Sequence, residues 1–238
     1  MEILSQVFSK SNIAFMFQGI GMMLSVAVVA ILLSLLFGTI LGAAKSYGLK
    51  PLQVIVSVYI EIFRTTPNLL WILIIYFLVP FGKEIPSMVK DFMSGSLAFT
   101  LFTSAVVAEI VRGGLNSIPK GQFEAAASQG FSLFQTLKMI VLPQALRVSI
   151  PALLSQVITV IKDTSLLAAV NIAEFTVNGR IVIAQFSGNA AAMFLVYGFM
   201  ALIYFAICFT LSICVRRLQH PKVISEAKHS EKMLPSAQ

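Results

Sequence analysis

Two short stretches set charged and hydroxyl side chains inside otherwise apolar runs. The first is Glu61-Ile62-Phe63-Arg64-Thr65-Thr66-Pro67 and the second is Lys162-Asp163-Thr164-Ser165. A charge at the centre of a bilayer costs roughly 2.5–3.5 kcal/mol on insertion scales, so each needs a partner or a function. Glu61 and Arg64 stand at i, i+3 and are expected to pair on one helix face. Pro67 has no N–H for the carbonyl of Phe63, so the helix is expected to bend or break across Thr65, Thr66 and Pro67. Broken helices near the midplane are where transporters bind polar solutes. Lys162 and Asp163 are neighbours in sequence, so they do not face one another on a helix, and at least one should look toward a cavity or another helix. One acid, one base and the hydroxyls of Thr164 and Ser165 suit a zwitterion, with Asp163 toward an ammonium or cationic group and Lys162 toward a carboxylate. Blander readings stay open beside these: a structural ion pair next to a kink for Glu61, and an outward-snorkelling Lys162 with Asp163 capping a kink. Glu109 and Arg112, again i, i+3, read as a local surface pair, and Glu174 and Arg180 as solvated charges of an external loop.

Composition sets where this chemistry takes place. Of 238 residues, 58% are hydrophobic and 11% charged, against about 25% charged in soluble domains. With a mean hydropathy of +0.89, the chain reads as a membrane protein with little length left for a soluble domain. The formal charge of +7 is read as basic loops on one membrane side, not as a footprint for nucleic acid. Cys208 and Cys214 fall in one apolar run and point to different helix faces, so no disulfide is expected between them. No metal-ligand spacing, CxxC or HExxH occurs, and His220 and His229 lie in the tail, which leaves an intramembrane enzyme without a base. No phosphate-binding loop occurs either, since Gly82-Lys83 runs into Glu84 with no glycine at the needed spacing upstream. No cofactor, metal or catalytic residue is therefore expected in this chain. The N-terminus lacks the basic start of a secretory signal and is expected to be retained.

A transmembrane helix takes about 20 mostly apolar residues. Five segments qualify: Ile13–Ala44, Leu52–Val79, Leu97–Ile110 with extension to Gly114, Leu146–Val170 and Ala190–Val215. Five crossings put the termini on opposite sides. With the C-terminus inside, Lys45, Lys50, Arg112, Lys120, Lys138, Arg147, Arg216, Arg217, Lys222, Lys228 and Lys232 are all cytoplasmic, and only Lys10, Lys83, Lys90 and Arg180 lie outside. The positive-inside rule thus selects N-out/C-in. The expected fold is an all-α membrane protein of about five transmembrane helices. Residues 1–218 form one transmembrane domain, and 219–238 a polar, loosely ordered cytoplasmic tail. Gly38-Thr-Ile-Leu-Gly42 allows close helix approach, read as packing within one subunit.

Between the third and fourth spans lies KGQFEAAASQGFSLFQTLKMIVLP, residues 120–143. Pro119 suits a helix start, and Ala125, Ala126 and Ala127 are strong helix formers with almost no bulk. Gly130 suits the left-handed residue that ends a helix. Ser132 and Gln135 have capping-box spacing, and Leu133, Phe134, Leu137, Ile140 and Val141 form one apolar stripe. Pro143 is read as the point where this second element gives way to the next span. The expectation is a cytoplasmic hairpin over 117–143, its second helix packed on the bundle and its alanine-faced first helix free to meet a partner.

Glu124-Ala125-Ala126, then Gly130, then Ile140-Val141-Leu142-Pro143 resembles the EAA loop of bacterial ABC importer permeases, EAA-x3-G-x9-I-x-L-P, at every defining position. The lead-in from Ser117 to Gln122, the pair Gln144-Ala145, the stretch from Glu61 to Pro67 and the stretch from Lys162 to Leu166 resemble the polar amino-acid branch of that family. The similarity runs from about Gly19 to Leu218. One departure is Thr65, where the branch usually has glycine. The resemblance implies the type I importer permease fold, with the EAA loop as a coupling helix docked on a separate ATPase subunit that binds ATP and Mg. It also implies that the fourth helix lines the substrate path. The implied partners are a second permease subunit, identical or paralogous, two ATPase subunits, an extracytoplasmic solute-binding protein and a polar amino acid such as glutamine, glutamate, cystine or arginine. The implied location is the bacterial cytoplasmic membrane. The competing reading is an ATPase-independent channel or secondary transporter.

Overall fold

The structure, a computed structural model, describes residues 2–82 and 84–233, with side chains for 3–82 and 84–216. Lys83 and the tail side chains from 217 onward lie outside the described residues. A short helix α1 (Glu2–Val7) precedes α2 (Lys10–Tyr47), whose start is capped by Ser9 accepting from the Asn12 N–H at 3.4 Å. Pro51 in the first turn of α3 (Lys50–Thr65) spends no hydrogen bond there. The chain then breaks and turns by 104° into α4 (Asn68–Leu78). The second expected span is therefore one broken span, with the break at the proline that predicted it.

Helix α5 (Ser87–Asn116) begins ten residues before the apolar run that starts at Leu97. The reason is that α5 is the most enclosed span of the bundle. Ser94 and Thr100 are buried, and their hydroxyls donate back to the Lys90 and Ser96 carbonyls at 2.7 Å each. Small residues paired to their own helix lower hydropathy without exposing an unsatisfied group. The main partner of α5 is α2, which runs parallel to it: Ser34 meets Thr100, Gly38 meets Val107 and Lys45 meets Glu109. A Cβ at Gly38 would lie 2.5 Å from Val107 Cγ1, and one at Gly42 would lie 2.6 Å from the Ala108 carbonyl oxygen. The GxxxG is thus an internal seam, as expected. Gly38→Val should overpack it by about 1–3 kcal/mol, read as a lower melting temperature in detergent. An unchanged melting curve would mean that the seam yields.

After α5 come α6 (Lys120–Ser128), α7 (Leu133–Thr136), a π turn (Leu137–Val141) and α8 (Leu142–Asp163). Here the structure corrects the sequence reading. The second part of the hairpin does not stop at Pro143 but runs into the fourth span, so 133–170 form one continuous apolar rod. The π turn shifts the hydrogen-bond register, with the Leu142 N–H donating to Leu137 O, and Pro143 falls in the first turn after that shift. A 3₁₀ turn (Thr164–Val170) closes on Asn171 at φ 57°, then α9 (Phe175–Ala184) and α10 (Ala190–Met233) follow. Helix α9 had no counterpart among the expected elements. The α10 backbone continues to Met233 through most of the tail expected to be loose.

The main core gathers Ile60, Ile72, Phe99, Phe102 and Leu167 from α3, α4, α5 and the 3₁₀ turn. A second cluster joins Val7, Met16, Phe175 and Val196, which ties α1 to α2, α9 and α10. Cys208 and Cys214 are free thiols.

Candidate functional site

The segment between α5 and α8 is held by local chemistry. Helix α6 ends in a Schellman closure: Phe131 N–H donates to Ala126 O at 3.1 Å, and Gly130 N–H to Ala127 O at 3.0 Å. Gly130 takes φ 83°, the left-handed conformation that its position required. The Ser132–Gln135 capping box forms, with bonds of 2.9 and 3.3 Å. Two braces fix α6 to the bundle: the Phe123 ring lies 5.8 Å from that of Tyr47, and Gln122 Oε1 accepts from Gln144 Nε2 at 3.2 Å. Glu124, Ala125 and Ala127 are exposed, but Ala126 is buried at 3%. The face left open for a partner is therefore narrower than the whole alanine block. The apolar stripe also divides. Val141 is fully buried, and Ile140 and Leu142 are half-buried, whereas Leu133 at 57% and Phe134 at 72% are exposed, contrary to the expected packing on the bundle. Pro143 is exposed.

The break between α3 and α4 is the second zone. Thr65 closes α3 by donating to Glu61 O at 2.7 Å, so threonine fits where the family usually has glycine. Thr66 Oγ1 donates to Ile62 O at 2.6 Å and accepts from Trp71 Nε1 at 2.6 Å across the turn. The expected Glu61–Arg64 pair does not form. Arg64 turns to Glu109, 3.8 Å away, and Glu61 is exposed with no ion pair among the described residues. The Glu109–Arg112 pair does form, at 2.9 Å, but it is no isolated surface pair. Glu109 is only 15% exposed and also takes Lys45 at 2.7 Å, so one carboxylate joins cations from α2, α3 and α5.

Asp163 comes to the break from the far end of α8, its Oδ2 accepting from Asn68 Nδ2 at 3.5 Å. Asn68 was not singled out in the sequence. The signal that would have found it is a polar residue directly after the kink proline, where a helix restarts. Lys162 is exposed and forms no ion pair with Asp163 among the described residues. Thr164 is fully buried and donates to Ile161 O at 2.6 Å, while Ser165 donates to Lys162 O at 2.8 Å. The structure thus brings Thr66, Pro67, Asn68 and Asp163 together and turns the hydroxyls of Thr164 and Ser165 onto the backbone. Among the described residues no group of three His, Cys, Asp or Glu is placed to hold a metal.

Residues 34–225 match the family described as binding-protein-dependent transport system inner membrane component. The chain belongs to this family. It is similar to a probable glutamine ABC transporter permease protein, GlnP, of Bacillus subtilis (strain 168), with 39% identity over 212 residues that cover 89% of this chain and 95% of the relative. It is also similar to the glutamate/aspartate import permease protein GltK of Escherichia coli O6:H1, with 31% identity over 213 residues, 87% of this chain and 93% of that one. Its fold superposes on a solved chain from an amino acid ABC transporter with histidines at a TM-score of 0.77 and 28% identity, covering 93% of this chain and 99% of that chain. The fold is that of the type I importer permeases, as the EAA pattern implied.

In this inner membrane component the expected external-loop charges are corrected. Glu174 is fully buried and caps α9, its carboxylate accepting from Thr176 N–H at 2.9 Å, Val177 N–H at 3.0 Å and Tyr204 Oη at 3.3 Å. Burial pushes its pKa up against these donors. Arg180 is exposed, and its Nη1 donates to Ala168 O at 3.2 Å, tying α9 to the 3₁₀ turn. Both residues hold the fold together at this position. The missed signal was Glu174 two and three residues ahead of the Thr176 and Val177 amides, an N-cap arrangement.

Proposed function

We propose that this chain is the membrane-spanning subunit of an ATP-driven importer that moves a polar amino acid by alternating access. The observation that carries this reading is α6, a short helix braced onto α2 and α8 that presents Glu124, Ala125 and Ala127 outward. A surface fixed from beneath and open above is fit to receive force from a partner. Because α7 and Asp163 lie on one continuous helical stretch, 133–170, and α6 is braced to it through Gln122 and Gln144, a push on this surface is carried along that stretch toward Asp163. The ATP-hydrolysing partner is a separate ATPase subunit, since no phosphate loop lies in this sequence.

Glu61 and Thr65 on α3 and Ser155 and Lys162 on α8 stand exposed on the flank of spans. Lipid would leave the charges of Glu61 and Lys162 unpaired, at roughly 2.5–3.5 kcal/mol each. A second permease subunit and a hydrated path between the two would cover them. Asp163 and Asn68, beside the backbone break, supply an acceptor for an ammonium group. The relatives' glutamine and glutamate/aspartate names point to the same substrate class. The orientation is N-out/C-in on the distribution of basic residues, with the α6 surface cytoplasmic, a solute-binding protein outside and the complex in the bacterial cytoplasmic membrane.

The test is reconstitution. Proteoliposomes holding this chain alone should take up no labelled amino acid, whereas addition of the co-purifying ATPase and ATP should start uptake. Uptake by the chain alone would favour the channel or secondary-transporter reading. Asp163→Asn in the full complex should lower the uptake rate or change the substrate range. If both stay at the wild-type level at equal abundance, Asp163 is no substrate contact.

A further inference from the structure

We propose that a single ordered water is held where α2, α5 and α8 cross, and that it forms the contact on which the upper part of α8 rests. A cavity of about 10 Å³ lies there, lined by Ser34 of α2, Thr103 of α5 and Gln156 and Val160 of α8 among others. One water molecule needs roughly 10–15 Å³ measured this way, together with two to four polar partners. Thr103 is 1% exposed, and its Oγ1 has no hydrogen-bond partner in the protein. Gln156 lines the same cavity, and its carboxamide makes no hydrogen bond among the described residues. Ser34 Oγ donates to Thr100 O at 3.3 Å and keeps lone pairs to accept a third bond. An unpaired hydroxyl in a dry interior is costly, and a water bridging Thr103, Gln156 and Ser34 satisfies it.

The position gives the water a role in how α8 moves. Below it, α8 is pinned: a Cβ on Gly114 would strike Ser149 Oγ and the Ala145 carbonyl, and Ser149 Oγ donates to Ile110 O at 3.3 Å. Two residues on, Pro151 removes a backbone hydrogen bond inside the helix. Above Pro151, Gln156 meets the α2–α5 pair across the cavity. A water-bridged contact re-forms when the helix shifts, where a direct bond would have to break.

The test uses the full chain in its native assembly in lipid nanodiscs. A structure resolving waters should show one density peak within hydrogen-bond distance of Thr103 Oγ1 and Gln156. No peak there, or Gln156 bonded directly to Thr103, overturns the proposal. Thr103→Val and Gln156→Leu should each lower thermal stability, and the double variant should lose clearly less than their sum, since both remove one bridge. Additive losses overturn it. Thr103→Ser keeps the hydroxyl and should restore the wild-type melting temperature. Hydrogen exchange over residues 152–160 should rise about two- to tenfold in Thr103→Val, the scale of one net hydrogen bond. Unchanged exchange in a folded variant would remove the water from the motion of α8.

Discussion

Glu124→Lys and Gly130→Pro are each expected to leave the chain in the membrane at wild-type abundance and to reduce ATP-dependent uptake to background. The two substitutions act by different routes. Glu124 is exposed and forms no ion pair among the described residues, so reversing its charge costs the fold little. Its effect would arise at the partner, where a narrow face of Glu124, Ala125 and Ala127 leaves few other contacts to compensate. Gly130 sits at φ 83° and gives its N–H to Ala127 O at 3.0 Å. Proline fixes φ near −65° and has no N–H, so the closure that aims α6 cannot form. The α5–α8 packing lies outside this turn and keeps the bundle intact. The measurement is uptake into vesicles at matched abundance, with a crosslink from Ala125→Cys to the ATPase. Ala125 is the right position because Ala126 is buried. Normal uptake in both variants would sink the coupling role.

Glu109→Gln should be the most destabilising single substitution in the charged half of the bundle. Lys45 at 18% and Glu109 at 15% side-chain exposure form a mostly enclosed pair at 2.7 Å. Removing the carboxylate's charge leaves Lys45 and Arg112 sharing a neutral carboxamide, and breaking a fully buried pair costs about 3–5 kcal/mol, an upper bound for these partly exposed groups. Arg64, at 42% exposure and 3.8 Å, adds little to that sum. The loss should show as lower abundance and a lower melting temperature of the purified complex. Lys45→Met removes one surplus cation, so Glu109→Gln with Lys45→Met should recover part of the stability lost by Glu109→Gln alone. If the double variant melts lower than the single one, the three cations are not competing for one acid.

The sequence by itself determined what short-range geometry encodes. The capping box at Ser132–Gln135, the left-handed Gly130, the break at Pro67 and the GxxxG seam follow from residue types three or four positions apart or from one residue's backbone limits. Each holds in the structure because its partner atoms lie within the same turn or because close approach needs no particular partner. The EAA spacing is of this local kind, which is why the family was legible there. Tertiary structure decided the pairings. Lys45 and Glu109 are 64 residues apart, and Asn68 and Asp163 are 95 apart. Which carboxylate Arg64 reaches depends on how α3 crosses α5, and helix periodicity carries no record of crossing angle. Burial was decided the same way. Glu174 read as a solvated charge because a carboxylate in a short polar stretch usually is one, yet the packing of α9 against α2 and α10 closes over it. The third span was expected to begin at Leu97, and only the surrounding helices make Ser94 and Ser96 ahead of it part of the interior.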